Sequence, residues 1–405
     1  MPSPRRRLLG VGFGAEGCGF GRVLRSLYQR LDAQWEVEHL EFASPGAAAT
    51  NPNWRVHHTR RPGLQMGHLE FAELIAERRP QLVLLVGDLW QVPPYVDALA
   101  GSEMLPALVA YCPVDAPLPV QLDRRAMASL GRLDRLVVPT RYGAGQISAA
   151  LGAMGLDPSA LPLQVIPHGV DVGFFHPYPA DAARSGRQRA REELFAGRPE
   201  LADAFIVLNA NRNQPRKRLD LTLQGFARFA ADKPPDVHLF LHAGIIDVGI
   251  NLVARACALG VQPRVLRLGD SEGHPVVPDT TLNAIYNACD VGVNTSASEG
   301  WGLVPFEHAA TGAAQIVPDN SASAELWAGS ASLLPDDDAT LPAALAAALE
   351  RLYRDRDFCR AQSGLALRNA LRDEWRWDDV SRRFGALFSE VFLDSRRLPC
   401  ATSGK

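Results

Sequence analysis

Two glutamates flank a glycine-rich turn in the second half of the chain, and paired carboxylates are a common basis for acid–base chemistry. Residues 294–312 read NTSASEGWGLVPFEHAATG, with seven residues between Glu299 and Glu307. On one continuous helix the two would lie about 12 Å apart, beyond the roughly 5–9.5 Å between the carboxyl groups of a glycosidase. Gly300 and Gly302 also disfavour one continuous helix. A hydrolytic acid–base pair is therefore not expected.

The same segment predicts a strand, a turn and a helix that begins around Pro305, since proline suits the first helical position. Glu299 would then lie in the loop above the carboxyl end of the strand, and Glu307 in the first turn of the helix. Carboxylates accept hydrogen bonds from vicinal hydroxyls, and the backbone N–H groups between them suit a diphosphate. This turn is predicted to bind a sugar, phosphates and a ribose together.

A cluster of cations precedes this turn in the sequence. The segment NANRNQPRKRLDL places Arg212, Arg216, Lys217 and Arg218 within seven residues, next to the turn-forming Pro215. One interpretation is a solvated charged loop. The other is a clamp that neutralises a departing nucleoside diphosphate, a form of transition-state stabilisation.

The first glycine-rich segment, GVGFGAEGCGFG, fits the dinucleotide-binding pattern G-x-G-x-x-G with Gly12, Gly14 and Gly17. In that motif the helix begins near the third glycine. Here further glycines follow, which predicts a loop that continues to about Gly19. The acidic residues that could complete the motif are Glu36, Glu38 and Glu41. A flexible turn and a loop that faces an anionic ligand are both favoured over an NAD site.

Strand-like and helix-like segments alternate through both halves of the chain, which is typical of doubly wound parallel sheets. We predict an α/β protein with two tandem Rossmann-like domains, residues 1–168 and 169–378. Residues 379–405 would form a C-terminal helix, able to pack back on the first domain, and a disordered tail. The two domains are expected to face a cleft.

Composition restricts the class of protein further. The 405 residues carry a net charge of −3 with 47% apolar residues, so a nucleic-acid partner is not expected. Six scattered cysteines without a C-x-x-C pattern indicate reduced thiols and a cytoplasmic protein. Apolar runs are too short to span a membrane. Arginine pairs such as Arg78-Arg79 leave peripheral membrane contact open.

Metal chemistry is not expected from the remaining candidates. Asp336, Asp337 and Asp338 precede an alanine-rich helix, where acidic residues suit the helix N-terminus. His238 and His242 lie on one strand about 13 Å apart and cannot chelate one ion. We predict that the site holds no metal and no cofactor.

Four segments resemble the signatures of glycosyltransferase family 4, the retaining nucleotide-sugar enzymes with the GT-B fold. They read IPHGVD, NRNQPRKRLDL, YNACDVGVNTSASEGWGLVPFEHAATG and PDNSASAELW. The resemblance covers residues 160–380 well and the N-terminal half loosely. The two glutamates with cations upstream are a fairly specific combination.

The resemblance implies roles for individual residues. Glu299 matches the glutamate that holds the donor sugar's hydroxyls, and Glu307 the one on the ribose. Lys217 matches the lysine on the donor diphosphate. The matching arginine is Arg212, but the spacing differs by one residue from some family members, so Arg216 remains an alternative.

Other parts of the site follow from the same resemblance. The amides of Gly300, Gly302, Leu303 and Val304 would approach the phosphates. The loop with Gly14, Gly17 and Gly19 would close on the diphosphate and sugar. The family often has a His-Asp pair in the first domain; here Asp115 is present, but Val114 stands where the histidine is expected, which leaves Asp115 in doubt.

The resemblance implies metal-independent, retaining transfer of a hexose with front-face attack. The nucleotide sugar would bind the C-terminal domain, and the acceptor would enter from the N-terminal domain. The acceptor stays open among a glycan, a lipid-linked sugar, a protein and a small molecule. Two alternatives also stay open: an NAD-dependent oxidoreductase that uses the first glycine loop, and a non-catalytic protein that binds nucleotide sugars.

Overall fold

The chain forms two compact units, Met1–Gly169 with Trp377–Lys405, and Val170–Arg376. We call them the first and the second domain. The sequence prediction placed the boundaries after residues 168 and 378. The computed structural model describes residues 5–14, 18–31, 34–41, 53–59, 66–102, 105–118, 124–269 and 271–395.

The first domain is built on a parallel sheet with the strand order β3-β2-β1-β4-β5-β6-β7 in the described part of the chain. The reversal of strand order beside β1 is the doubly wound arrangement. The strands are β1 Arg6–Gly12, β2 Trp35–Glu41, β3 Arg55–His58, β4 Leu82–Val86, β5 Ala107–Tyr111, β6 Arg135–Val138 and β7 Leu163–Val165.

Helices cover both faces of this sheet, so β4 and β5 are buried along their whole length. This burial explains their continuous apolar sequences, LVLLV and ALVAY. The helices are α1 Gly19–Leu31, α2 His68–Arg78, α3 Val92–Ala98, α4 Arg124–Leu130, α5 Arg141–Ala153 and, after the second domain, α14 Trp377–Ser395.

Helix α14 is part of the first domain although it is encoded after the second. The Phe388 ring meets the Trp35 ring edge-on at 5.8 Å, and the Phe384 ring lies 4.9 Å from the Tyr111 ring. Both phenylalanines are fully buried. The last helix therefore completes the hydrophobic core of the domain that the chain began.

The second domain repeats the doubly wound plan, with the parallel strand order β10-β9-β8-β11-β12-β13 among the described residues. Its strands are β8 Phe205–Asn209, β9 Val237–Leu241, β10 Val265–Leu266, β11 Val291–Val293, β12 Ala314–Pro318 and β13 Ser332–Leu334. Its helices are α6 Gly186–Leu194, α7 Leu219–Ala230, α8 Leu252–Ala258, α9 Asp279–Ala288, α10 Leu303–Ala310, α11 Ser321–Trp327, α12 Leu341–Arg354 and α13 Arg356–Ala370.

Each face of the second sheet has its own apolar core. One core contains an aromatic group on α10, α11 and the segment before α14, namely Phe306, Trp327 and Trp375. The other core lies under α7 and α12 and includes Phe226 and Leu345. With both faces covered, the carboxyl edge of the sheet and its loops are left for function.

The predicted fold of two tandem, doubly wound α/β domains is confirmed. A helix long and apolar enough to cross a lipid bilayer is not found among the described residues.

Candidate functional site

The predicted glycine-rich turn follows β11 and leads directly into α10. Gly302 adopts a left-handed conformation, with φ of 87°, and the helix begins at the next residue, Leu303. The predicted start at Pro305 is therefore two residues too late. Glu307 is the fifth residue of the helix and lies beyond its first turn, contrary to the expectation from sequence.

Aromatic side chains anchor this turn from below. Trp301 is buried, its ring stacks on Phe306 at 4.9 Å, and the Trp375 ring meets it edge-on at 5.1 Å. The large buried area of such rings stabilises a single backbone conformation of the turn. The residues on either side of Trp301 are thereby fixed at the carboxyl edge of the sheet.

The carboxylate of Glu299 is buried and surrounded by hydrogen-bond donors. Lys217 Nζ lies 2.5 Å from its Oε1, the Ser296 hydroxyl 2.7 Å and Asn294 Nδ2 3.2 Å. Its other oxygen, Oε2, lies 3.4 Å from a guanidinium nitrogen of Arg216. Two charges and two polar groups thus hold the side chain of a residue that is only 5% exposed.

This environment keeps Glu299 ionised. Burial by itself would raise the pKa of the carboxyl, but the charges of Lys217 and Arg216, together with hydrogen bonds from Lys217 and Ser296, lower it to about 2. A carboxylate with this pKa carries no proton at neutral pH and accepts hydrogen bonds. Glu299 is therefore suited to binding hydroxyl groups and unsuited to acting as a general acid.

The loop that carries the cations is bonded to the loop that carries Glu299. Arg218 adopts a left-handed φ of 48° and directs its guanidinium to the carbonyls of Thr295 at 2.7 Å and Ser296 at 2.9 Å. In the opposite direction, the Ala297 amide donates to the Arg216 carbonyl at 2.8 Å. Lys217 and Glu299 are therefore held in place by hydrogen bonds between their two loops as well as by their own ion pair.

The two arginines that the sequence left as alternatives lie in different places. The guanidinium of Arg216 contacts the Glu299 carboxylate and also donates to the Ser298 carbonyl. Arg212 instead makes a two-pronged ion pair with Asp247, at 2.7 and 3.0 Å, and its side chain is 50% exposed. The structure thus brings Arg216, and not Arg212, together with Lys217 and Glu299.

Glu307 is fixed by a tyrosine that the sequence did not single out. The hydroxyl of Tyr286, on α9, donates to Glu307 Oε2 at 2.9 Å, and both side chains are buried. The Tyr286 ring stacks on His308 with centroids 5.6 Å apart and contacts Phe175. Since Tyr286 lies within an apolar helical stripe, its sequence context signalled only a core position.

The glycine-rich loop of the first domain is described in part. Gly14 follows β1, Gly19 begins α1, and Gly17 lies outside the described residues. A Cβ on Gly14 would stand 2.8 Å from Nε2 of the buried His39 and 3.2 Å from the carboxyl carbon of Glu41. Because α1 starts after Gly17, the loop is longer than the dinucleotide motif requires.

Asp115 is also in the first domain. It follows β5 by a few residues and is partly buried at the carboxyl edge of the sheet, next to the buried Val114. The predicted residues thus divide between the domains, with Gly14, Gly19 and Asp115 in the first. The second domain contains the glutamates, the cations and the residues of the turn: Glu299, Glu307, Arg212, Arg216, Lys217, Gly300, Gly302, Leu303 and Val304.

Strained backbone concentrates around this second-domain group. Non-glycine residues with left-handed φ in the described chain are Arg79, Arg218, Asp247 and Ser321. Arg218 follows Lys217, Asp247 pairs with Arg212, and Ser321 accepts a hydrogen bond from the Glu299 amide. Such conformations cost about 1–3 kcal/mol each and cluster at functional sites.

A cluster of three or more His, Cys, Asp or Glu side chains able to hold a metal ion does not occur in the described part of the chain.

Solved structures share this two-domain architecture. Sucrose-phosphate synthase from Thermosynechococcus elongatus superposes with a TM-score of 0.74 at 19% identity, covering 96% of this chain and 100% of that one. Anabaena HepE, in complex with UDP and glucose, gives 0.73 at 16% identity, covering 95% of this chain and 100% of that one. These likenesses define the fold as GT-B.

A sequence comparison finds a family similar to part of the second domain. Residues 204–355, which contain Lys217, Glu299 and Glu307, match the family model described as glycosyl transferases group 1. The match covers less than half of the chain and agrees with the resemblance to glycosyltransferase family 4 that the sequence motifs carry.

Curated relatives are similar to this chain over part of their length. D-inositol 3-phosphate glycosyltransferase from Segniliparus rotundus is 30% identical over 201 residues, which is 49% of this chain and 40% of that protein. The Nocardia farcinica protein of the same name is 28% identical over 301 residues, 73% of this chain and 61% of that protein. The chain thus spans less than two thirds of either relative.

Proposed function

We propose that the chain transfers a hexose from a nucleoside-diphosphate sugar to an acceptor hydroxyl with retention of configuration. The observation that carries this proposal is the buried Glu299 carboxylate, kept ionised by Lys217 and Arg216 at the carboxyl edge of the second sheet. An ionised carboxylate accepts hydrogen bonds from vicinal hydroxyls, and two cations beside it suit a diphosphate, so the group fits a ligand that carries both. The similarity of residues 204–355 to the group 1 glycosyltransferases supports the same conclusion.

The donor's parts would be distributed over the second domain. Glu299 accepts hydrogen bonds from the sugar hydroxyls, and Lys217 with Arg216 neutralises the departing diphosphate. The amides at the start of α10, after Gly302, have no side-chain cap and suit the phosphates. Glu307, held by Tyr286, accepts from the ribose.

The first domain would supply the acceptor side. Gly14, Gly19 and Asp115 lie at the end of its sheet where ligands of doubly wound folds bind. The acceptor attacks on the face from which the diphosphate leaves. Exclusion of water during this step favours the acceptor over hydrolysis.

We propose that no metal takes part, because Lys217 and Arg216 place positive charge where a divalent ion would otherwise be needed. The expected result is that transfer is unchanged by EDTA. Activity that vanishes with EDTA and returns with Mg²⁺ or Mn²⁺ would contradict this.

A cytoplasmic location fits a donor that is made in the cytoplasm, and contact with a membrane surface remains a prediction.

A thermal-shift screen of UDP-, GDP- and ADP-sugars tests the donor. A ligand at 100 times its dissociation constant adds about 2.7 kcal/mol to stability, which shifts the melting temperature measurably. NADH serves as the comparison, and stabilisation by NADH alone would favour the oxidoreductase alternative. D-inositol 3-phosphate, named in the curated relatives, is the first acceptor to try.

Product analysis then tests the reaction. NMR of the new glycosidic bond should show the anomeric configuration of the donor sugar. Inversion would overturn the proposed stereochemistry. Donor binding with neither transfer to any acceptor nor slow donor hydrolysis would favour the non-catalytic alternative.

A further inference from the structure

Ser321 combines a strained backbone with a direct contact to Glu299. It is the first residue of α11 and has a left-handed φ of 47°, a conformation that side chains with a Cβ rarely adopt. Glycine would take this conformation without strain. A serine at this position therefore requires a compensating interaction.

Ser321 and its neighbour hold both backbone polar groups of Glu299. The Glu299 amide donates to Ser321 Oγ at 2.8 Å, and the Ala322 amide donates to the Glu299 carbonyl at 3.2 Å. The Ser321 hydroxyl in turn donates to Asn320 Oδ1 at 2.9 Å. The left-handed turn at Ser321 thus directs two successive groups of the chain to the same residue.

Asn320 extends the contact along the Glu299 loop. Its side-chain amide donates to the Ala297 carbonyl at 2.9 Å. Lys217, Ser296 and Asn294 bind the Glu299 carboxylate, whereas residues 320–322 bind its backbone. The direction in which the carboxylate points therefore depends on a segment that lies more than twenty residues further along the chain.

We propose that Ser321 is a positioning residue for the donor sugar. Its strained backbone and its hydroxyl fix the main chain of Glu299, so that the carboxylate meets the sugar hydroxyls in one orientation. The inference rests on the proposed function, because it assigns Glu299 to the sugar. The nucleotide part of the donor is bound by other residues and should not depend on Ser321.

Two substitutions separate the strain from the hydroxyl. Ser321→Gly removes both, and Ser321→Ala removes the hydroxyl but keeps the Cβ that is strained at this φ. We expect both variants to bind the nucleotide sugar about 10-fold more weakly while their affinity for the free nucleoside diphosphate stays within about twofold. We also expect Ser321→Gly to melt at a higher temperature than Ser321→Ala.

A matched control is Arg79→Gly. Arg79 has a similar left-handed φ of 49° but ends α2 in the first domain, where glycine is favoured. This variant should relieve strain without changing affinity for nucleotide sugar. A loss equal to that of Ser321→Gly would show that the effect is not specific to the Glu299 loop and would overturn the proposal.

A double-mutant cycle with Glu299→Gln tests the stated route of action. If Ser321 acts through Glu299, Ser321→Gly should weaken sugar binding by less than about twofold in the Glu299→Gln background. The same 10-fold loss in both backgrounds would overturn the proposal, as would nucleotide-sugar affinity at the parental level in both serine variants. Failure of the parent protein to bind any nucleotide sugar would instead refute the proposed function, before any variant is made.

Discussion

Lys217 Nζ lies 2.5 Å from Glu299 Oε1, although the two residues are separated by more than eighty positions in the sequence. Both side chains are largely buried, at 13% and 6% exposure. Removing either partner of a charge pair at this depth leaves a buried charge with fewer partners, although Arg216 remains next to the Glu299 carboxylate. The pair is therefore the basis for the first two predictions.

Replacing either member of this pair should remove activity and leave a folded protein. We expect Glu299→Gln and Lys217→Ala to lower kcat/KM for transfer by about 100-fold or more. Circular dichroism should show that both variants retain the parental secondary structure. Lys233→Ala is the matched control, since Lys233 is a similarly buried lysine that follows α7 and pairs with Asp232 and Glu350. Near-parental turnover in both site variants would refute the assigned roles.

The two arginines should differ in their effect on transfer. We expect Arg216→Ala to lower kcat/KM by about 10-fold or more, because Arg216 contacts Glu299 and adds charge next to Lys217. Arg212→Ala should change it by less than about threefold, since the Arg212 side chain is bound to Asp247 and not to Glu299. Steady-state kinetics of the two variants side by side decides this. A larger loss in Arg212→Ala would show that Arg212 leaves Asp247 to meet the diphosphate.

The low pKa of Glu299 predicts how stability depends on pH. The carboxyl has a pKa of about 2 in the folded protein and an ordinary value of 4.5. Its contribution to stability is therefore fully present above pH 4.5 and is lost as the pH falls toward 2. The difference in melting temperature between the parent and Glu299→Gln should shrink across this window. A difference that stays constant down to pH 2 would contradict the lowered pKa.

Tyr286 should affect binding of the nucleotide through Glu307. Tyr286→Phe removes a buried hydrogen bond to a carboxylate, and we expect the affinity for the nucleoside diphosphate to fall about 5- to 10-fold. Calorimetry with the 2′,3′-dideoxy nucleotide should show no such loss, because that ligand lacks the ribose hydroxyls. Tyr353→Phe is the control: it also removes one tyrosine hydroxyl, but the Tyr353 ring lies on α12 and packs against Phe205 and Phe229. Equal losses for both nucleotides would contradict a role at the ribose.

The sequence was sufficient for the fold and for the residues that stand in recognisable patterns. Continuous apolar runs such as residues 82–86 predict buried parallel strands, and these strands are buried as expected. Glu299 and Glu307 could be named because they flank one glycine-rich turn, and Lys217 because its cation-rich segment resembles a family signature. The start of α10 was placed two residues too late, because the conformation of Gly302 is not a property that spacing records.

Contacts between distant residues could not be predicted in this way. The choice between Arg212 and Arg216 depends on Asp247 and Glu299, which come from other loops. Tyr286 looks like any core residue of an amphipathic helix until Glu307 is seen opposite its hydroxyl. Ser321 is informative only through a backbone angle, which a serine in a sequence does not reveal.

The return of α14 to the first domain has a consequence for how the protein is made. Phe384 and Phe388, which pack on Tyr111 and Trp35, are synthesised only after the whole of the second domain. Val170–Arg376 can therefore complete its core on the ribosome while the first domain still lacks a helix. A fragment cut after Gly169 would expose an apolar surface, and an independently expressed first domain needs residues 377–395 joined to it.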